Sequence, residues 1–380
     1  MGITDYREGV RVVPVLGEGE LWEFLRLPWR IYQHDPYWVP PLLKPQRDFL
    51  DPEKGPFFEV GEARYFLALR RGAPVGRISA HLNHLYDDLY DRVTGFFGFF
   101  ECIPDLQVAA ALFEAAAGWL RGRGRTRLLG PLSFSIYDEV GLLVDGFDSL
   151  PAMFQSHNPA YYPRLLGDLG FRKTFDFFAL RLTKRFPVEP LEEKISEILR
   201  GRNLRLVPMT PADLERRQKE VYELFNEAWR ANWCHLPLTW KQFQKFFHNL
   251  KPLLRPNLVK LLLDGDALAG FSIVLPDLNP TIKRFNGELS CFNKLRLLYE
   301  AKYRPVRKAR ALVLGVRQPY QGRKLHQALI LKSYVDAVRE TPCNFCDLSL
   351  IPENLRHYLR AFRSVGAEPY KVFRIFEKEI

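Results

Sequence analysis

A carboxylate held beside an apolar wedge is a weaker acid than one in water, and it can act as a general base near neutral pH. Three acids of this chain stand where that role is open to them. They are Asp347 in Phe345-Cys346-Asp347-Leu348-Ser349, Glu353 just beyond it, and Glu101 after the aromatic run Gly95 to Phe100. For each, the plain alternative is a solvated carboxylate at a strand end. Tyr358 offers a phenol with a reference pKa of about 10, able to protonate a leaving group or simply to pack. Asp138-Glu139 and Asp145 could receive an amine or be ordinary loop acids, and Trp29, Tyr32, Trp38, Trp229 and Trp233 could line a pocket or fill a core. Cys343-Asn344-Phe345-Cys346 is a lone C-x-x-C, short of the four ligands that zinc needs. His81-Leu82-Asn83-His84 with Asp87 and Asp88 has metal-capable types beside a strand end. No metal is expected from either.

The elements that must position these groups occur twice. Tyr65 to Leu69, a turn from Arg71 to Gly76, and Arg77 to Ala80 form one hairpin signal; Val259 to Leu263, Asp264-Gly265-Asp266 and Gly270 to Val274 form another. A helix-like stretch ending at Gly170 leads into Phe177 to Leu180, and one ending at Gly366 leads into Val372 to Phe376. Gly76 and Gly170 are 94 residues apart, and Gly270 and Gly366 are 96 apart, which is the mark of a doubled unit. Between these landmarks the first copy has a strand from Thr94 to Glu101, a helix from Asp105 as N-cap through Leu120, and a strand Arg127 to Gly130. The second has a strand Ala309 to Val316, a helix Leu325 to Arg339 and a strand Phe345 to Leu350. Strands alternating with helices of this length predict α/β layering, and the hairpins predict mixed sheets. Phe186 to Pro190 is the expected boundary, giving domains 1–186 and 187–380, the first with an aromatic and proline-rich opening.

Length and composition agree with two packed domains: 380 residues, 47% hydrophobic and 14% aromatic. No apolar run reaches membrane-spanning length and the polar Met1 to Gly9 has no signal-peptide character, so no membrane partner is expected. Five scattered cysteines suit reduced thiols, and the expected location is the cytoplasm. The net charge of +11 favours an anionic partner, and Lys283 to Arg310 holds nine Lys or Arg against Glu288 and Glu300.

One segment carries a more specific resemblance. Ala311-Leu312-Val313-Leu314-Gly315-Val316-Arg317-Gln318-Pro319-Tyr320-Gln321-Gly322-Arg323, followed by a helix, resembles the acyl-CoA signature of the GNAT acyltransferase superfamily. There a strand gives way to a V-x-P-x-Y-[RQ]-G-x-G-x-[GA] loop. The unpaired N–H groups and dipole of a helix start form a general anion site. Glu353-Asn354 through Gly366 resembles that superfamily's N-x-x-[AM] segment, and His157-Asn158-Pro159 through Gly170-Phe171 has the same form. The layout is similar to tandem GNAT proteins, and more narrowly to a bacterial group with a Pro-Trp…Tyr…Asp-Pro…Trp-Val-Pro-Pro-Leu opening.

The resemblance implies two tandem GNAT-like domains, each a mixed β-sheet flanked by α-helices. It implies an N-acyltransferase taking acetyl-CoA or another acyl-CoA, with a small-molecule or peptide amine as acceptor. Val313, Leu314 and Val316 would follow the pantetheine arm; Arg317, Gln321, Gly322, Arg323, Lys324 and Leu325 would hold the diphosphate, with Asn354 beside them. Asp347 or Glu353 would take the amine proton and Tyr358 would protonate the thiolate. Lys324 and His326 stand where the superfamily has small residues, and the first copy lacks the loop, meeting its helix with Asp105. Two other readings follow: an aminoacyl-tRNA-dependent transferase using the basic 283–310 segment, and a non-catalytic protein that binds a ligand or partner. A domain pair can replace a homodimer, so both a monomer and a homodimer are compatible with this architecture.

Overall fold

The computed structural model describes residues 5–6, 9–364 and 366–380, with backbone alone for residues 5, 6, 211, 214, 357 and 364. Most of the Met1 to Gly9 opening therefore lies outside the described residues. The chain forms two compact units that a single cut at 186/187 does not separate. One comprises Met1–Phe177, Asn279–Asn293 and Lys371–Ile380, the other Phe178–Leu278 and Lys294–Tyr370.

In the first unit, Val10–Pro14, Gly61–Arg70, Ala73–Asn83 and Thr94–Cys102 run antiparallel in that order. Arg127–Gly130 then lies parallel to Thr94–Cys102. The end of the Glu368–Glu379 strand closes on Arg127–Gly130, with Phe376 opposite Gly130. The Leu106–Arg121 helix buries Val108, Ala109, Leu112, Phe113, Ala116 and Leu120 on one face, as its apolar period requires. On the other face, Phe24 and Leu25 of the Glu18–Ile31 helix join a core with Phe57, Tyr65, Phe99 and Phe134.

In the second unit, Leu204–Pro208, Val259–Asp264, Ala267–Pro276 and Lys308–Val316 are antiparallel, and Phe345–Pro352 is parallel to the last of these. The Leu325–Glu340 helix packs Leu325, Ala328 and Leu329 on one face. From the Gln218–Ala228 helix, Leu224 lies against Gly315 on the other. Each unit is thus a mixed sheet with helices on both faces.

The repeat is visible in two glycines. Gly76 pairs with Cys102, and a Cβ there would lie 2.7 Å from Leu112. Gly270 pairs with Val316, and a Cβ there would lie 2.9 Å from the Gly315 carbonyl and 3.2 Å from Leu329. Each permits the following helix to approach the sheet. The first turn is shorter than Arg71 to Gly76: only Arg71 and Gly72 turn, both at positive φ as a two-residue hairpin demands, and Ala73 already belongs to the next strand. The expected start of the last helix at Glu353 moves to Arg356, after a turn at Glu353 and Asn354. The basic 283–310 region contains the end of one helix, Asn279–Phe285, and the whole of another, Cys291–Tyr303.

Candidate functional site

In the second unit the parallel pair holds register only from Lys308 opposite Phe345 to Ala311 opposite Leu348. Beyond Ala311 the parallel pairing with this strand does not continue among the described residues, while Val313 to Val316 stay paired with Gly270 to Ile273 on the other side. Val313 and Val316 are buried, and the Leu314 carbonyl accepts a hydrogen bond from Trp229 Nε1 at 3.2 Å. Eight residues, 317–324, then connect the strand to the Leu325–Glu340 helix. Gln321, Gly322, Arg323 and Lys324 are exposed, and no atom approaches within 4 Å of where a Gly322 Cβ would stand. Gly322 has φ +76° and Lys324, the residue before the helix, has φ +61°. Lysine at a left-handed position carries a strain of about 1–2 kcal/mol that glycine would not.

The Gln321 amide bonds the Gln318 carbonyl at 3.1 Å. Among the described residues, no bond within the chain is recorded for the amides of Gly322, Arg323, Lys324 or Leu325. Leu325 is buried and offers its amide alone, while the Gln321 side chain donates to the Val316 carbonyl at 3.1 Å. Arg317 departs from its expected place among the diphosphate groups. Its guanidinium donates to Glu227 at 3.0 Å and to the Leu268 carbonyl at 2.9 Å, which makes it a brace for the strand end. The loop cations are Arg323, which lies over the Tyr320 ring, and Lys324.

Tyr358 reaches the same helix start: its ring lies 5.6 Å from that of His326 in an edge-on contact, and burial raises its phenol. Glu353 is half-buried and Asn354 exposed in the turn before the last helix. Asp347 has no exposure. It accepts from the Ser349 hydroxyl on one oxygen and from the Tyr370 hydroxyl at 2.7 Å on the other, with Arg310 Nε at 3.5 Å. Both oxygens are engaged within the sheet.

The first unit handles the equivalent junction differently. Three residues, Ile103 to Asp105, connect strand and helix. The Asp105 carboxylate accepts from the Gln107 and Val108 amides at 2.9 and 3.2 Å and pairs with Arg70 at 2.7 Å. The Cys102 amide donates to the Tyr162 hydroxyl at 2.8 Å, and the Tyr161 hydroxyl donates to the Cys102 carbonyl at 2.5 Å. This helix start is already occupied by an anion of the chain's own.

Acids gather beside it instead. Glu101 accepts from the hydroxyls of Tyr32 at 2.9 Å and Tyr162 at 2.7 Å, with Arg77 3.7 Å away. Desolvation pushes its carboxyl up to about 7, against the opposing pull of Arg77 and the two tyrosines. Asp138, bonded by the Ser135 hydroxyl at 2.6 Å, is pushed up to about 7 by the same cause. Glu139 is raised too, chiefly by desolvation. Asp35 pairs with His157 at 2.8 Å, and burial lowers that imidazole. Tyr32 stacks on Trp38 at 4.8 Å and Trp29 meets Trp38 edge-on at 5.1 Å, so these three of the expected aromatics do cluster. Trp229 and Trp233 belong to the other unit.

Sequence reading weighed Glu101 and Asp138-Glu139 separately. It missed Arg77 and the Asp35–His157 pair, which lie far apart in the chain and carry no local spacing signal. The other polar clusters serve structure. His81 is fully buried among Phe57, Phe96 and Phe134, which pushes it down to about 3. Asp87 pairs with Arg125 at 2.7 Å, and the Cys343 thiol donates to the Phe345 carbonyl at 3.3 Å.

No family model matches the chain. In sequence it is 33% identical over 377 residues to a Caulobacter vibrioides protein named bacterial ceramide synthase, covering 97% of each. It is 31% identical over 372 residues to protein YghO of Escherichia coli, covering 96% of this chain and 94% of that one. In structure it is similar to a tandem GNAT protein from the clavulanic acid biosynthesis pathway, solved without AcCoA. The TM-score is 0.57 at 13% identity, over 97% of this chain and 98% of the other. It is also similar to a GCN5-related N-acetyltransferase from Sphaerobacter thermophilus, with a TM-score of 0.53 at 14% identity, over 99% and 97% of the two chains.

Proposed function

We propose, from the premise that this chain belongs to the family of those two curated relatives and has the tandem GNAT fold, that it is an acyl-CoA-dependent N-acyltransferase. The observation that carries this reading is the set of unbonded amides from Gly322 to Leu325 at a helix start, in an accessible loop with Arg323 and Lys324. A diphosphate there would meet N–H donors, the positive end of the helix dipole and two cations. The pantetheine arm would follow Val313 to Val316, and Tyr358, one ring contact from the helix start, would protonate the departing thiolate.

The reaction forms a C–N bond between an amine and the thioester carbonyl and breaks the C–S bond. No covalent enzyme intermediate is required. The proton must leave the amine to a general base. We assign this role to Glu353, the candidate carboxylate of the unit that would hold the donor. The ceramide synthase relative suggests a long-chain amino alcohol as acceptor.

Calorimetric titration of the full chain with acetyl-CoA and with long-chain acyl-CoAs tests the reading. Binding of at least one acyl-CoA is expected, followed by amide formation with a long-chain amine. Absence of binding by every acyl-CoA at millimolar concentration rejects it. Of the cations of the transfer-RNA alternative, Lys283 donates to the Trp38 carbonyl at 2.8 Å, Arg310 is buried, and Arg296 and Arg304 both pair with Glu300, while Lys302, Arg307 and Lys308 are exposed.

A further inference from the structure

Among the described residues, four of the most exposed large apolar side chains share one helix, Cys291–Tyr303. Leu295 is 67% exposed, Tyr299 62% and Tyr303 72%, with Phe292 at 72% one turn earlier. Spacings of three, four and four residues place them along one face. The Tyr299 and Tyr303 rings lie 5.7 Å apart.

The helix is held in place from behind. Glu300 and Ala301 are buried, and Arg255 donates to the carbonyls of Glu300, Ala301 and Arg304 at the helix end. The stripe is therefore presented by a braced element.

Its surroundings are cationic. From Leu289 to Lys308 there are six Lys or Arg, and the sole acid is Glu300. That acid is buried and paired with Arg296 at 3.3 Å and Arg304 at 2.9 Å. Lys294 and Lys302 are exposed. The surface of this helix thus combines an aliphatic and aromatic ridge with positive charge and no accessible acid. Tyrosine, phenylalanine and leucine on one face with basic side chains around them suit the headgroup region of an anionic bilayer. RNA phosphates would meet the cations but leave Leu295 without a partner.

We propose that the Leu295–Tyr299–Tyr303 face of this helix, with Phe292, docks the protein on the surface of a membrane containing anionic lipid. Among the described residues, no helix is long and apolar enough to cross a membrane. Docking by this face departs from the expectation of no membrane partner. The proposal stands independently of the acyltransferase reading.

Flotation of the full chain with phosphatidylcholine vesicles, with and without phosphatidylglycerol, tests it. The native protein should bind the phosphatidylglycerol vesicles and be released by salt. The triple variant L295S/Y299S/Y303S, and separately K294E/K302E, should each lower partition by about tenfold or more. Because all five side chains are exposed, thermal melts should match the native chain and acyl-CoA affinity should not change. The proposal is overturned if the native protein ignores anionic vesicles or if both variants bind as it does. It is equally overturned if vesicles are ignored while the serine variant dissociates a dimer, or while the charge variant loses salt-dependent tRNA binding. Those outcomes assign the face to a second copy or to RNA.

Discussion

In the first unit three residues carry the chain from strand to helix, and the last of them is an aspartate whose carboxylate fills the helix start. In the second unit eight residues make the same passage and end on a left-handed lysine, with four amides that have no bond to the described residues. The sheets, the splayed parallel pairs and the close-packing glycines are alike. A helix start is an anion site by default, because its N–H groups have no partners within the helix. Supplying the anion from the chain stabilises the fold at that point; leaving it out preserves a site for a ligand. One copy of the duplicated unit has taken the first course and gathered acids nearby, and the other has taken the second.

The comparison is sharpened most by Glu353→Gln. If the second unit carries its own base, kcat should fall by about 10²–10⁴-fold with acyl-CoA affinity unchanged, measured by steady-state turnover and calorimetry. Equal turnover would remove the base from this turn. Gly322→Val should act on the donor site, lowering acyl-CoA affinity by about 30-fold, since a β-branched residue is strained at φ +76° and displaces the loop amides. Unchanged binding would remove the diphosphate site from this loop.

The Glu101 carboxyl also predicts a pH dependence. Its folded value of about 7 lies above its unfolded value near 4.5, so the folded state holds the proton more tightly. The associated stability is fully present below about 4.5 and is lost as pH rises through 7, at most about 3 kcal/mol in total. Denaturant melts from pH 4.5 to 8 should show this fall, and E101Q should flatten it.

Smaller effects test the two helix starts directly. Asp105→Ala should cost about 1–2 kcal/mol of stability by urea unfolding, through loss of the cap and the Arg70 pair. Lys324→Gly should raise stability by at most about 1 kcal/mol, with acyl-CoA affinity within a few-fold. If glycine at Lys324 and His326 instead creates binding that the native chain lacks, the second unit is a non-catalytic relative of an acyltransferase.

Much of this was legible along the chain because it is local. The N-cap Asp105, the apolar period of 106–120 and the strand–loop–helix around Gly322 each announce themselves within a dozen residues. What was not legible concerns direction and distance. Nothing in the sequence around Asp347 says that Tyr370 and Arg310 will take its oxygens, and nothing around Arg317 names Glu227 as its partner. Glu101 could be singled out as an acid after an aromatic run. Its shift to about 7 depends on burial, balanced by Arg77, Tyr32 and Tyr162, which the fold brings from three separate stretches.

The allocation of Asn279–Asn293 and Lys371–Ile380 to the first unit has a consequence for how the protein is made. During synthesis on the ribosome, residues 1–177 emerge long before the strand that pairs with Arg127–Gly130 and Leu142–Asp145. That half must wait, with an incomplete edge, until nearly the whole of its sibling has been translated. Expressing residues 1–186 alone should accordingly yield an aggregation-prone fragment, rescued by supplying the remainder in trans.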